Sequence, residues 1–400
     1  MLTIKAGVTS VVKHIRHAIV LGFITFAGFS QSVNAQQVSN IVVDADNGHV
    51  SWMADGAQWY AVVGIDDYFG SNTPIIHIDL ETGNENKVGE LGNCYYRGTL
   101  SDAGWQATDQ TYAFINLCHT DVPFTGFVSD ANGVYTIDKD PDNAGKLLMQ
   151  IDDPTMPLTT PNDTNVGNNG GNGSGKLLSP DTQISRGGTP DKFPSAEIIV
   201  EPSFVETFGD PGYMHRIAST LAFANFIYGQ SGIKQIHLIS IDVLSGPLNN
   251  NGGIGGIKHE LQNLRRGTIQ AGSGDVSILM VGGDIDSTYT WGWAIDAGAC
   301  ELQIAEAEGT PLDTIDIGRS AAFVIDLPSL IQRGWIFAHE FGHVIGALKH
   351  INGDPLMDGW FQYINTLSKY KAGCDAITQM FKSCAYDPKS KEVTDFYTCN

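Results

Sequence analysis

The residues best suited to do chemistry are His339, Glu340 and His343, in the segment HEFGHVIGALKH. A helix turns about 100° per residue, so two histidines four apart lie one turn apart on the same face and can offer two imidazole nitrogens to one zinc ion. Glu340 stands beside them, where its carboxylate can take a proton from water that the metal has acidified, from a pKa of about 15.7 towards about 7. Gly346, three residues past His343, can end the helix and turn the chain back, because glycine reaches the left-handed region without a Cβ penalty. Eleven residues further on, Met357 in PLMDG can form an apolar, deformable floor under the histidines. The plain alternative is a surface helix that carries two solvated histidines.

Other elements must position this helix. After residue 195 the sequence alternates strands with helices, which implies a two- or three-layer α/β arrangement. AEIIVE, IKQIHLISIDVL, DVSILMVGG, TYTWGWAID and FVIDL read as strands, and IKHELQNLRRGTIQ reads as a helix. In DPGYMHRIASTLAFANFIYGQSG, Ile217, Leu221, Ala224 and Tyr228 fall on one helical face, which predicts one buried side. Before residue 150 the pattern differs. NIVVDA, WYAVVGI, PIIHIDL, TYAFINL, GFVSD and VYTIDK are short strands between Gly, Asn and Asp turns, so residues 36–150 read as a β-rich domain. Residues 151–194 are rich in Gly, Asn, Pro, Ser and Thr, and they read as a flexible linker with Lys176 and Arg186 as basic cut points.

Residues 1–35 carry Lys5, Lys13 and Arg16 without an acid, then AIVLGFITFAGF, then the small-residue boundary Val33-Asn34-Ala35. This is the pattern of a cleaved secretory signal peptide, so the expectation is a secreted, extracellular protein with no membrane span once the signal is removed. Of 23 basic and 44 acidic residues, the leader holds three basic ones, leaving 23 − 3 = 20 against 44 and a balance of −24. Such a balance argues against nucleic acid or an anionic membrane surface as a partner. Six cysteines in an exported chain make three disulfides the default. Fifteen pairings are possible, and proximity favours Cys94 with Cys118 and Cys374 with Cys384, leaving Cys300 for Cys399.

HExxHxxG with a nearby histidine and a methionine resembles the metzincin zinc proteases, and more of the chain resembles their reprolysin, or adamalysin (ADAM-type), branch. CYYRGTL and TYAFINLCHTDVPFTGFVSDANGVYTI are similar to the reprolysin propeptide, through Cys94, Tyr95, Tyr96, Gly98, Cys118, Gly126, Phe127, Tyr135 and Ile137. AEIIVEPSFVETFG, WGWAIDAGAC and IFAHEFGHVIG resemble, in order, the opening strand, edge strand and active-site helix of the catalytic domain. The resemblance implies an α/β metzincin-like catalytic domain at 195–400, with a mixed twisted sheet and a small C-terminal subdomain, preceded by a β-rich propeptide in a zymogen. It implies a zinc metalloendopeptidase acting on protein or peptide substrates, which would add as a strand along Trp293, Ala294 and Ile295. It also implies a Cys300–Cys399 disulfide.

In that family the third zinc ligand stands three residues after the glycine, where this chain has Lys349. A protonated ammonium has no lone pair to give a metal, so the expected third ligand is His350, one residue later, with Asp354 as an alternative. Resemblance further offers a structural calcium, with Glu197, Asp275 and the Cys399-Asn400 end as candidate ligands. If Cys94 and Cys118 are joined, no propeptide thiol is left to hold the zinc, so latency would need steric cover or a carboxylate. The rival expectation is a metzincin-fold binding protein that has lost catalysis, with Lys349 as the lesion.

Overall fold

The computed structural model describes residues 35–69, 72–152, 194–230, 235–248, 254–268, 275–282, 292–294, 320–345, 356, 386–387 and 392–393. Eight strands close into an antiparallel barrel, in the order β1-β10-β9-β8-β7-β6-β3-β2. They are β1 (Gln36–Asp44), β2 (His49–Ala54), β3 (Ala57–Ile65), β6 (Tyr95–Leu100), β7 (Tyr112–Asn116), β8 (Thr125–Asp130), β9 (Gly133–Lys139) and β10 (Leu147–Ile151). Strand alternation gives the barrel two apolar faces. Trp52, Ala61, Ile115, Phe124, Ile137 and Met149 fill the interior, while Tyr95, Tyr112, Phe114 and Phe127 point outward into a second core. Strands run close enough at Gly98 that a Cβ there would lie 1.9 Å from the carbonyl oxygen of Val62. Cys94 and Cys118 are joined by a disulfide at the ends of β6 and β7.

The two remaining strands of this region leave the barrel. β4 (Pro74–Ile78) and β5 (Glu85–Glu90) join β11 (Ser195–Val200), β12 (His237–Leu244), β13 (Val276–Val281), β14 (Gly292–Ala294) and β15 (Ala321–Ile325) in one seven-stranded sheet. Its order is β14-β15-β13-β11-β12-β4-β5, with five parallel strands inside and an antiparallel strand on each edge. The inner strands β11 and β13 are buried throughout, as expected of parallel strands covered on both faces. β16 (Tyr386–Asp387) and β17 (Glu392–Val393) form a separate small ribbon.

Four helices are described: α1 (Pro202–Phe208), α2 (Gly212–Gln230), α3 (Ile254–Thr268) and α4 (Leu330–Ile345). α3 covers one face of the sheet through Ile257 and Leu261, and α2 and α4 cover the other. α2 buries the predicted face and more besides, because the barrel closes over its second side: Phe226 meets Tyr112 with ring centroids 4.9 Å apart, and Phe223 meets Phe127 at 5.5 Å. None of the described helices is long and apolar enough to cross a membrane.

This architecture corrects the expectation of an α/β metzincin-like catalytic domain preceded by a β-rich propeptide domain. Strands dominate, the first region is a closed barrel, and β4 and β5 carry that region into the second sheet, so the sheet is not made by residues 195–400 alone. The sequence misleads here for a physical reason. PIIHIDL has the composition of any half-buried strand, and composition does not say which sheet a strand joins.

Candidate active site

α4 begins where Ser329 caps it, its hydroxyl accepting the Gln332 N–H at 3.2 Å. The barrel adds a second cap: Asp152, just past β10, accepts the Ile331 N–H at 2.6 Å and the Ser329 hydroxyl at 3.1 Å. A carboxylate at this end complements the helix dipole. Burial pushes the Asp152 carboxyl up, and the Ile331 N–H and the nearby Arg333 guanidinium oppose that shift. Arg333 is itself buried, donating to Thr220 Oγ1, the Pro328 carbonyl and Ser219 Oγ. Desolvation and neighbouring Arg216 lower its pKa to about 10, against Asp326, Asp152 and Asp138.

The other half of α4 carries His339, Glu340 and His343. Gly334 lets α4 approach α2, since a Cβ there would lie 2.6 Å from the Phe223 ring. The Tyr228 hydroxyl donates to the Ala338 carbonyl at 2.7 Å. His339, Glu340 and His343 are then held almost out of solvent, with exposures of 2%, 1% and 2%.

His339 stacks on Trp335, one turn earlier, with ring centroids 4.8 Å apart. Its Nδ1 lies 2.6 Å from the Leu356 carbonyl. A carbonyl only accepts, so Nδ1 carries the proton and Nε2 is left as the basic nitrogen. That nitrogen faces His343 Nε2 at 3.2 Å, the two rings edge to face. Two nitrogens bound at about 2.0–2.1 Å to one tetrahedral zinc stand roughly 3.3 Å apart, so the pair fits the ion. The carbonyl behind His339 is the kind of outer partner that fixes a ligand's tautomer. Among the described residues no group of three His, Cys, Asp or Glu side chains gathers around a common point. His350, Asp354, Lys349 and Met357 lie outside the described residues.

Glu340 projects towards the sheet edge. An ideal Cβ on Gly292 of β14 would lie 2.5 Å from Glu340 Oε1, 2.6 Å from Cγ and 2.8 Å from Cδ. The carboxylate therefore rests against bare backbone of the edge strand, in space that only glycine leaves open.

Of the residues expected to bind substrate, Trp293 turns its side chain the other way. It is buried with Phe323 and Leu261, and the Lys258 ammonium stands 4.3 Å from its ring centroid. Its backbone pairs with Phe323, and Ala294 sits half-buried on the α4 face. Ile295, Cys300, Cys374, Cys384, Cys399 and Asn400 lie outside the described residues.

The calcium candidates are engaged by protein groups. Glu197 accepts from the Ser277 hydroxyl and faces the buried Arg265 guanidinium at 3.5 Å, and Asp275 accepts the Ser195 N–H at 2.8 Å and its hydroxyl at 2.7 Å. A guanidinium beside Glu197 is a poor neighbour for a calcium ion.

Three positioning features escaped the sequence reading: Trp335, the Leu356 carbonyl and Gly292. Trp335 had a signal, because it sits four residues before His339 on the same helical face. Gly292 had one as well, a glycine between two tryptophans in an otherwise bulky strand. The Leu356 carbonyl had none.

No protein-family model matches the chain, and no curated protein matches it in sequence. Among solved structures, the chain is similar to metalloproteinase-II from Bacteroides fragilis, with a TM-score of 0.40 and 12% identity over 81% of this chain and 89% of that one. A chain in the structure of a chaperone–substrate complex gives a TM-score of 0.28 and 9% identity, over 63% of this chain and 38% of that one. Likenesses this slight carry no weight for the fold or the chemistry.

Proposed function

We propose that this chain is a secreted, zinc-dependent endopeptidase, with His339, His343 and His350 as metal ligands and Glu340 as general base. The observation that carries the reading is the 3.2 Å approach of two imidazole Nε2 atoms, one of them set by the Leu356 carbonyl. The resemblance of HEFGHVIG and of the segments before it to reprolysin sequences supports the same activity. When bound, zinc supplies Lewis acidity that polarises the scissile carbonyl and acidifies water.

The chain's own residues do the rest. The buried Glu340 carboxylate takes a proton from the attacking water and returns it to the leaving amine, so no acyl-enzyme is required. Its surroundings exclude bulk solvent, which strengthens every charge interaction at the site. β14 offers an extended peptide an edge on which to pair by backbone hydrogen bonds, which makes binding tolerant of sequence. His350 supplies the imidazole that Lys349 does not.

The test measures zinc content and cleavage of a denatured protein substrate for wild type, Glu340→Ala and His350→Ala. About one zinc per chain in wild type and Glu340→Ala, with activity only in wild type, supports the reading. Equal failure of wild type and Glu340→Ala to cleave would leave a binding protein without catalysis. Full zinc and activity in His350→Ala would remove that residue from the ligand set.

A further inference from the structure

We infer that residues 36–152 are a permanent structural partner of the rest of the chain, and that they stay bound non-covalently when a peptide bond in the 153–193 segment is hydrolysed. The inference goes beyond the proposed chemistry and does not depend on it. It rests on how the barrel region is built into the second sheet, not laid over it.

The anchor is β4. It pairs in parallel with β12 from Ile75–Ile241 to Ile78–Leu244, and β5 lies outside it as the edge. Ile76 and Ile78 sit in the core beneath α3 with Leu244, Leu248 and Leu261, while Ile75 points into the core on the other face. Withdrawing β4 would open a ladder of backbone groups along β12 and empty apolar sites on both sides of the sheet, each step unfavourable in water.

Further seams flank that strand. The Leu238 N–H donates to the Tyr68 carbonyl at 2.9 Å and the Ser245 N–H to the Ile78 carbonyl at 2.9 Å, while Arg97 Nη1 donates to Gln235 Oε1 at 2.6 Å. Tyr112 and Phe127 pack on Phe226 and Phe223 of α2. Asp152 caps α4, the helix that carries His339 and His343. All of these contacts join residues before 153 to residues after 193, and none runs through the segment between. A cut at Lys176 or Arg186, two of the basic sites of that segment, severs the chain and leaves every one of them in place.

The experiment uses the full chain with a recognition sequence for a site-specific protease inserted after Gly170. After complete cutting, denaturing electrophoresis shows two fragments. In native buffer at micromolar concentration both are expected to elute together, at the volume of the uncut protein, and to separate only in concentrated guanidinium chloride. Separate elution in native buffer would overturn the inference. In a second variant, Ile76→Asp, the cut N-terminal fragment is expected to be released in native buffer. Retention equal to that of wild type would remove β4 as the anchor.

Discussion

Replacing Gly292 by alanine should displace Glu340, the proposed general base, and leave the proposed metal ligands His339 and His343 unmutated. The added Cβ would stand 2.6 Å from Glu340 Cγ and 2.8 Å from Cδ, whereas carbon atoms rest about 3.5–4.0 Å apart. The carboxylate must therefore withdraw by roughly 1 Å, since the opposing atom is strand backbone locked in register with Val324. A misplacement of about 1 Å at a reacting group costs on the order of 100-fold in rate, equivalent to about 2.7 kcal/mol of barrier. The three atoms nearest the new methyl all belong to Glu340 and none to His339 or His343, so zinc content should stay near one per chain. Overpacking also costs about 1–3 kcal/mol of stability, so the assay pairs kcat/KM on a denatured protein substrate with metal analysis and a thermal melt. A folded, zinc-loaded Gly292→Ala protein with kcat/KM within about threefold of wild type, set against the expected 100-fold, would refute the placement of Glu340 against β14.

Other perturbations address other parts of the structure. His343→Ala should drop bound zinc well below one per chain, and full occupancy in that variant would show that His343 is not a ligand. Replacing Cys94 and Cys118 together by serine opens a loop whose ends are 24 residues apart, and chain entropy puts the loss near 3.4 kcal/mol. An unchanged denaturation midpoint would contradict that estimate. Glu197→Ala removes a carboxylate that faces the buried Arg265 guanidinium, which keeps its bonds to Ser277 Oγ and the Asp275 carbonyl, and should cost up to about 3–5 kcal/mol, whereas Glu197→Met with Arg265→Met should recover most of it in the same denaturant titration.

Acid should weaken the seam between the barrel and α2. Asn116 donates through Nδ2 to both His119 and His215, and burial lowers both histidines to about 4. Their folded pKa values lie below the ordinary 6.5, so this stability is complete above 6.5 and is lost as pH falls towards 4. Both rings are part-exposed, and with solvent screening the loss for the pair is on the order of 2 kcal/mol. Melts at several pH values should show a shallower dependence in His119→Gln with His215→Gln, and identical slopes would argue against the assignment.

The legible parts of this molecule were those written in local spacing. HEFGH reads as two histidines on one helical face because the period of a helix is fixed, and Cys94 could be paired with Cys118 because proximity favoured it. What depended on distant segments was closed to that kind of reading. Ile217, Leu221, Ala224 and Tyr228 announced one buried face of α2, but Phe223 and Phe226 gave no sign that a barrel covers the other. PIIHIDL looked like its neighbours, although β4 belongs to a different sheet. Gly292 could be seen as odd, yet only its approach to Glu340 explains it, and the Leu356 carbonyl is a backbone atom with no sequence signature at all.

Ile75 and Ile241 are adjacent in the sheet but 241 − 75 = 166 residues apart in the chain. At about 5–20 residues per second, a nascent polypeptide waits roughly 8–33 s between making the first of these strands and making its neighbour. Throughout that interval Ile76 and Ile78 lack the Leu244, Leu248 and Leu261 side chains they are buried with, and pairing across so long a loop is slow even once both exist. PIIHI is therefore the stretch most exposed to early aggregation while the chain is being made, and slower synthesis at lower temperature should raise the soluble yield.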